Sequence, residues 1–341
     1  MTLRLLAVAL LSLVLVQAGL SSAAAAAAGQ TIAKTSKVTA KAAAKPARKA
    51  AVRKMRVKIR KPSKKRAATH VAADTGVLQL DRDGNPLLRS SAFVVVSQTT
   101  GDVILERKSE SVLPIASITK LMTAMVVLDA GQSLSEEIIV NKADIDTLKG
   151  TGSRLSLGTR LRREEMLHLA LMSSENRAAS ALARHYPGGE AAFVAAMNVK
   201  AKMIGLWDTR FSDSTGLDPA NVSSPRDLVK MVSAASTYPL IREFSTTSER
   251  YVEIRGRMHR FGNTNSLVRK DDWQIGISKT GYIREAGRCL VMQAWLLDQP
   301  VIIVLMDSEG RYTRTADAVR IKKWLESAGL QRLAALSGRK G

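Results

Sequence analysis

Two stretches with strand-like patterning bracket a helical middle in this chain. Residues 92–97 (AFVVVS) and 103–107 (VILER) are β-rich runs joined by Gln98-Thr99-Thr100-Gly101-Asp102, which predicts a hairpin. An apolar run follows Pro114, and its composition predicts a buried helix over 117–130, stopped at Gly131. Further helices are predicted over 164–172, 176–185, 190–204 and 225–237, the second ended by Tyr186-Pro187-Gly188-Gly189. Beyond Trp273 the strand pattern returns, over 274–280, 289–297 and 301–307, with Asp298-Gln299-Pro300 joining the last two. A closing helix over 314–328 carries Ala318, Ile321, Trp324 and Leu325 on its apolar face. This order predicts an α/β fold of the α+β type, an antiparallel sheet built from both chain ends and flanked by helices. The helical middle forms a second lobe, with the cleft between lobes as the expected site.

The N-terminal fifth reads differently. Residues 1–28 have the form of a cleavable export signal, with Arg4 before an apolar run over 5–16 and small residues over 21–28. That run is too short for a membrane span, and no cysteine follows it to carry a lipid. The mature protein is therefore expected to be soluble and periplasmic. Residues 29–72 form an arm in which 31–66 hold fifteen Lys or Arg and no acid. Setting these and Arg4 aside lowers the formal charge from +22 to +6 for 67–341, so the basicity belongs to the arm. Such a block repels itself and is expected to be disordered, as a solvated spacer or as a tether to anionic envelope polymers or lipid headgroups. It would bind nucleic acid only without specificity, and few scattered aromatic residues leave no stacking platform. A folded domain over 73–330 and a short tail over 331–341 complete the expected organisation. Cys289 is the single cysteine, so no internal disulfide forms, and its apolar surroundings place it in the core.

Candidate chemistry begins at Ser117-Ile118-Thr119-Lys120. A serine and a lysine three apart on a helix share one face, and a buried ammonium loses solvation, so it can serve as a base. Ser174-Glu175-Asn176 follows 57 residues after Ser117, and Lys279-Thr280-Gly281 ends a predicted strand. Ser-x-x-Lys, Ser-x-Asn and Lys-Thr-Gly in this order are the signature of penicillin-binding proteins and serine β-lactamases. In that chemistry Ser117 attacks a carbonyl, Lys120 takes its proton and Ser174 relays it to the leaving nitrogen. Asn176 would hold the substrate's peptide group, and Lys279 with Thr280 a carboxylate. Gly281 would admit a substrate strand against the sheet edge, and the backbone N–H groups of Ser117 and Tyr282 would form the oxyanion site. Lys279 should also repel a protonated Lys120 and depress its pKa further.

The flanking sequence extends the likeness. ALMSSENRAASALARHYPGG, NVKAKMIGLWDTRFSDSTGLDPANVSSPRDL, NTNSLVR and KTGYIREAGRCLVM make residues 90–328 resemble low-molecular-mass penicillin-binding proteins of the D-alanyl-D-alanine carboxypeptidase/endopeptidase family, the endopeptidase branch above all. The resemblance implies the DD-peptidase/β-lactamase-like fold and a periplasmic serine hydrolase that cuts D-alanyl cross-links in peptidoglycan and is acylated by β-lactam inhibitors. The basic arm stands outside it, and the chain ends soon after the closing helix, without the β-domain and amphipathic anchor of many carboxypeptidases. Alternatives are a carboxypeptidase trimming pentapeptide stems, a β-lactamase, and a non-catalytic envelope-binding protein acting through its arm. A β-lactamase needs a deacylating base that cannot be placed, since Glu175 lies between two cleft-facing neighbours and should point elsewhere. Intact motifs argue against an inert fold. Asp213 and Asp218 read as loop-structuring residues. His70, His168, His185 and His259 have neither metal-ligand spacing nor a nucleophile elbow, so no metal or other cofactor is expected.

Overall fold

The structure, a computed structural model, describes residues 78–337. The export signal and the arm lie outside the described residues. The chain begins with β1 (Ser90–Ser97), β2 (Val103–Arg107), β3 (Leu113–Pro114) and a 3₁₀ turn (Ala116–Thr119) that leads into α1 (Lys120–Asp129). The helical lobe follows with β4 (Glu137–Ile139), β5 (Arg160–Arg162), α2 (Arg163–Met172), α3 (Asn176–Arg184) and α4 (Gly189–Met203). After β6 (Val222–Ser223) come α5 (Pro225–Ala235), α6 (Pro239–Thr246) and the hairpin β7 (Glu249–Ile254)–β8 (Arg257–Gly262). Three long strands, β9 (Gln274–Ile283), β10 (Gly287–Leu296) and β11 (Gln299–Ser308), precede α7 (Thr313–Ser337).

β1, β2, β9, β10 and β11 form one antiparallel sheet in the order β2-β1-β11-β10-β9. Early and late strands of the described residues therefore meet in its centre, where Val94 of β1 pairs with Val304 of β11. The period of two sends Ala92, Val94 and Val96 to the helical lobe and Phe93 and Val95 to α7. β11 divides likewise, with Ile302 and Val304 on one side and Ile303 and Leu305 on the other. Burial on both faces is why these strands read as unbroken apolar runs. Trp324 and Ile321 of α7 close one face, while α5 and α6 pack on the other. Asp317 of α7 is fully buried and accepts from the backbone N–H groups of Arg89 and Ser90, which pins the start of β1 to the helix. Among the described residues, no helix is long and apolar enough to cross a membrane.

Besides the short strands β3, β4, β5 and β6, which the pattern does not predict, three longer segments differ from the sequence expectation. The helix predicted over 117–130 is broken, because Ala116 takes a left-handed φ of +47° and the next residues close a 3₁₀ turn; the α-helix starts at Lys120. Residues 238–273, for which the pattern predicts no element, hold α6 and the β7–β8 hairpin. Arg255-Gly256 turns that hairpin with φ of +51° and +73°. Charged residues on the exposed face of β7 and β8 dilute its alternation. The closing helix continues past 328 to Ser337.

Candidate active site

Ser117 stands on the 3₁₀ turn, and the turn is gripped by its neighbours. Ile115 N–H donates to the Asn221 carbonyl at 3.0 Å. Gly216, at φ +79°, presses bare backbone on the Ala116 carbonyl, where a Cβ would collide. Gly281 of β9 does the same from the sheet: a Cβ there would lie 2.8 Å from the Ile115 carbonyl and 3.1 Å from Ser117 N. The positive φ of Ala116 costs of order 1 kcal/mol and persists because the surroundings over-determine it.

In a 3₁₀ turn, side chains three apart eclipse, and Lys120 Nζ lies 2.9 Å from Ser117 Oγ. Its other partners are Asn176 Oδ1 at 2.8 Å and the Thr215 carbonyl at 2.7 Å. Lys120 is fully buried, and burial pulls its pKa down to about 7 against the opposing charges of Asp213 and Glu175. Two of its three partners, a carbonyl and an amide oxygen, can only accept. A neutral amine here gives both N–H groups to them and turns its lone pair to the Ser117 hydroxyl. That arrangement can take a proton from Ser117.

A second buried lysine completes the floor. Lys279 Nζ donates to Ser174 Oγ and to the Thr280 carbonyl, each at 2.9 Å. Its pKa is held well below the usual lysine range by burial, then by the charges of Lys120 and Arg314. The Lys120 charge thus acts on Lys279, whereas the expected effect of Lys279 on Lys120 is not among the causes there, which are burial against Asp213 and Glu175. Ser174 joins α2 to α3 at φ +61°, a left-handed conformation rare outside glycine. Asn176 Nδ2 donates to Thr151 Oγ1 at 2.9 Å. Thr280 Oγ1 donates to Thr264 Oγ1 at 2.7 Å.

Ser117, Ser174, Asn176, Thr280, Gly281 and Tyr282 line one cavity of about 480 Å³, with Lys120 and Lys279 buried next to it. β9 is an edge strand of the sheet, so its outer N–H and C=O groups can pair with an added peptide strand. The same strand brings the backbone of Gly281 beside that of Ser117.

Several lining residues escaped the sequence reading. Thr151, Thr264 and Arg314 face the cavity, and Arg314 donates to the Gly281 and Cys289 carbonyls at 2.7 and 3.2 Å. Gly216 lies in FSDSTGLDPAN, a stretch in which the pattern marks only Asp213 and Asp218. The Asp213 carboxylate accepts from the backbone N–H groups of Thr215, Gly216 and Asp218 and so shapes the loop that presents Thr215 to Lys120. Glu175 is buried and turned to Ser153 Oγ at 2.6 Å and Arg154 Nε at 3.3 Å. His168 stacks on Phe244 with ring centroids 4.3 Å apart, and burial pushes its pKa down to about 4. Burial pushes the Cys289 thiol up to about 11.

A mixed fold with a serine, two buried lysines and an open sheet edge defines a serine peptidase of the DD-peptidase/penicillin-binding class. The sequence profile of the D-alanyl-D-alanine carboxypeptidase family matches residues 81–310, and the chain belongs to that family. The D-alanyl-D-alanine endopeptidase of Pseudomonas aeruginosa is 46% identical over 242 residues, 70% of this chain and 78% of the relative. That of Escherichia coli is 46% identical over 259 residues, 75% and 84% of the two chains. A D-alanyl-D-alanine carboxypeptidase of Bacillus subtilis is 30% identical over 237 residues, 68% of this chain and 61% of that one. The crystal structure of the Streptomyces K15 DD-transpeptidase aligns at TM-score 0.65 and 27% identity, covering 70% of this chain and 97% of that chain.

Proposed function

We propose that this protein is a periplasmic serine D,D-endopeptidase that hydrolyses D-alanyl cross-links in peptidoglycan through an acyl-enzyme on Ser117. The observation that carries this reading is the set of partners around Lys120 Nζ, of which the Ser117 hydroxyl alone can give a proton. An extended stem peptide pairs with the edge of β9, with its scissile carbonyl oxygen between the N–H groups of Ser117 and Tyr282. Lys120, neutral, takes the Ser117 proton as Oγ bonds to the carbonyl carbon. The tetrahedral intermediate collapses as Ser174 gives its proton to the leaving amine and takes the one held by Lys120, and the C–N bond breaks. Lys279 and Thr280 hold the carboxylate on the leaving residue, Asn176 holds the acyl-side peptide group, and Gly281 keeps the strand close. Water then replaces the amine and releases Ser117.

The 46% identity to proteins named endopeptidases, against 30% to one named carboxypeptidase, favours cross-link cleavage over stem trimming. Glu175 and Asp213 are committed to loop bonds, so deacylation has no strong base and a penicillin should form a long-lived adduct. Residues 29–72 are assigned to a tether on anionic envelope polymers, reached after export by residues 1–28. Intact-mass measurement after incubation with benzylpenicillin tests the mechanism. One adduct mapping to Ser117 and absent from Ser117→Ala is expected; labelling of Ser117→Ala would overturn it.

A further inference from the structure

One wall of the cavity carries charge that the proposed reaction does not use. Arg288, Arg311 and Arg314 all line it, and no Asp or Glu does. Among the described residues none of the three is ion-paired with a carboxylate. Arginines on a protein surface usually find acids, and gathering three beside one cavity costs mutual repulsion unless an anion joins them.

Two of them are also held in place. Arg288 and Tyr282 are directly paired across β10 and β9, and the guanidinium lies over the phenol ring at 4.3 Å. Arg311 lies over the Tyr312 ring at 5.6 Å. Each tyrosine is more than half exposed, 56% and 72%, yet each lines the cavity. A cation stacked on a ring keeps its N–H edge free and gives up little freedom on binding. Arg314 differs: it is spent on the Gly281 and Cys289 carbonyls and acts as a fixed charge behind the pair. Burial and the nearby Arg288 charge both lower its pKa, a sign that the field here is uncompensated.

We propose that Arg288 and Arg311, set on Tyr282 and Tyr312, form a second carboxylate subsite, separate from Lys279 and Thr280. It selects stem peptides that carry a second free carboxylate over those in which that group is a carboxamide. The planar guanidinium suits a carboxylate, which accepts two parallel N–H bonds, and a carboxamide can accept only at its single oxygen. This rests on the D,D-peptidase reading above and names the substrate chemistry that such a site would favour.

Paired cross-linked peptide dimers test it. They differ only in having carboxylate or carboxamide at one position, while the carboxylate next to the scissile bond stays free throughout. Each remaining carboxylate is exchanged in turn. For one position, wild type should prefer the carboxylate by about tenfold in kcat/KM, the size of one charge-assisted hydrogen bond. In Arg288→Gln/Arg311→Gln that ratio should fall to near one. Arg288→Lys/Arg311→Lys should recover it only in part, because an ammonium lacks the planar fork. Stoichiometric penicillin labelling shows that each variant is folded. Equal rates on every wild-type pair, or a ratio unchanged in the glutamine variant, would overturn the subsite alone. Failure of wild type to cut any dimer or to be labelled by penicillin would instead overturn the D,D-peptidase reading, and the subsite with it.

Discussion

Lys120 must be both buried and basic. Burial supplies the free amine near neutral pH by lowering its pKa to about 7, and its contacts direct the lone pair to Ser117. The sign of the pH dependence follows. Below about pH 7 the amine is protonated and has no lone pair, so acylation falls about tenfold per pH unit. Stopped-flow acylation by a chromogenic cephalosporin between pH 5 and 9 should show this acid limb; a flat profile would exclude Lys120 as the base. Lys279→Ala removes a nearby positive charge, which makes protonation of Lys120 easier. The acid limb should therefore move to higher pH and acylation at neutral pH should slow. An unmoved limb would mean that burial, opposed by Asp213 and Glu175, sets the Lys120 pKa without Lys279. The residues gathered around Ser117 were legible in the sequence because three short motifs share one order. Thr264 and Arg314 were not, since nothing local distinguishes a threonine or arginine that folding carries to a cavity wall.

At the scale of elements, the site depends on how closely backbones approach. The turn bearing Ser117 is clamped between the loop of Gly216 and strand β9 at Gly281, with no room for a Cβ at either point. Gly216→Ala combines a collision with Ala116 and an unfavourable φ of +79°. It should cost about 2–4 kcal/mol of stability and slow acylation by more than about a hundredfold. Gly101→Ala is the matched control, with a similar φ of +77° but open space around it. There a loss of about 1 kcal/mol and near-normal acylation are expected. Thermal melts and penicillin labelling of the two variants check this; equal effects would show that φ strain, not the clamp, matters. The long strands and most helices were legible because burial on both sheet faces leaves apolar runs. The 3₁₀ turn was hidden within one such run, since its cause is the clamp rather than any residue preference. The β7–β8 hairpin was hidden because its exposed face is charged.

The described residues join β1 and β2 to β9, β10 and β11 in one sheet, with the helical lobe between them in sequence. Folding must therefore bring β1 to β11 before the cleft exists, a long-range pairing. Labelling of Ser117 should accordingly be lost together with the global fold on denaturant titration. The basic arm is assigned a separate task. Deleting residues 29–72 should leave the rate of penicillin acylation within about twofold of that of the intact protein, since the arm's charges are screened beyond about 10 Å at ordinary salt. Retention on purified cell-wall sacculi should drop, and the salt sensitivity of binding should drop with it. Unchanged binding in co-sedimentation would remove the tether role.

The central claim is that Ser117, activated by Lys120, attacks D-alanyl cross-links. Purified cross-linked muropeptide dimers and monomeric pentapeptides, each incubated with wild type and with Ser117→Ala, test it in one chromatographic separation. Conversion of dimers to monomers by wild type, little release of free D-alanine from pentapeptides and no conversion by Ser117→Ala is the predicted result. Release of D-alanine with dimers left intact would make the enzyme a carboxypeptidase, and dimer cleavage by Ser117→Ala would contradict the mechanism itself.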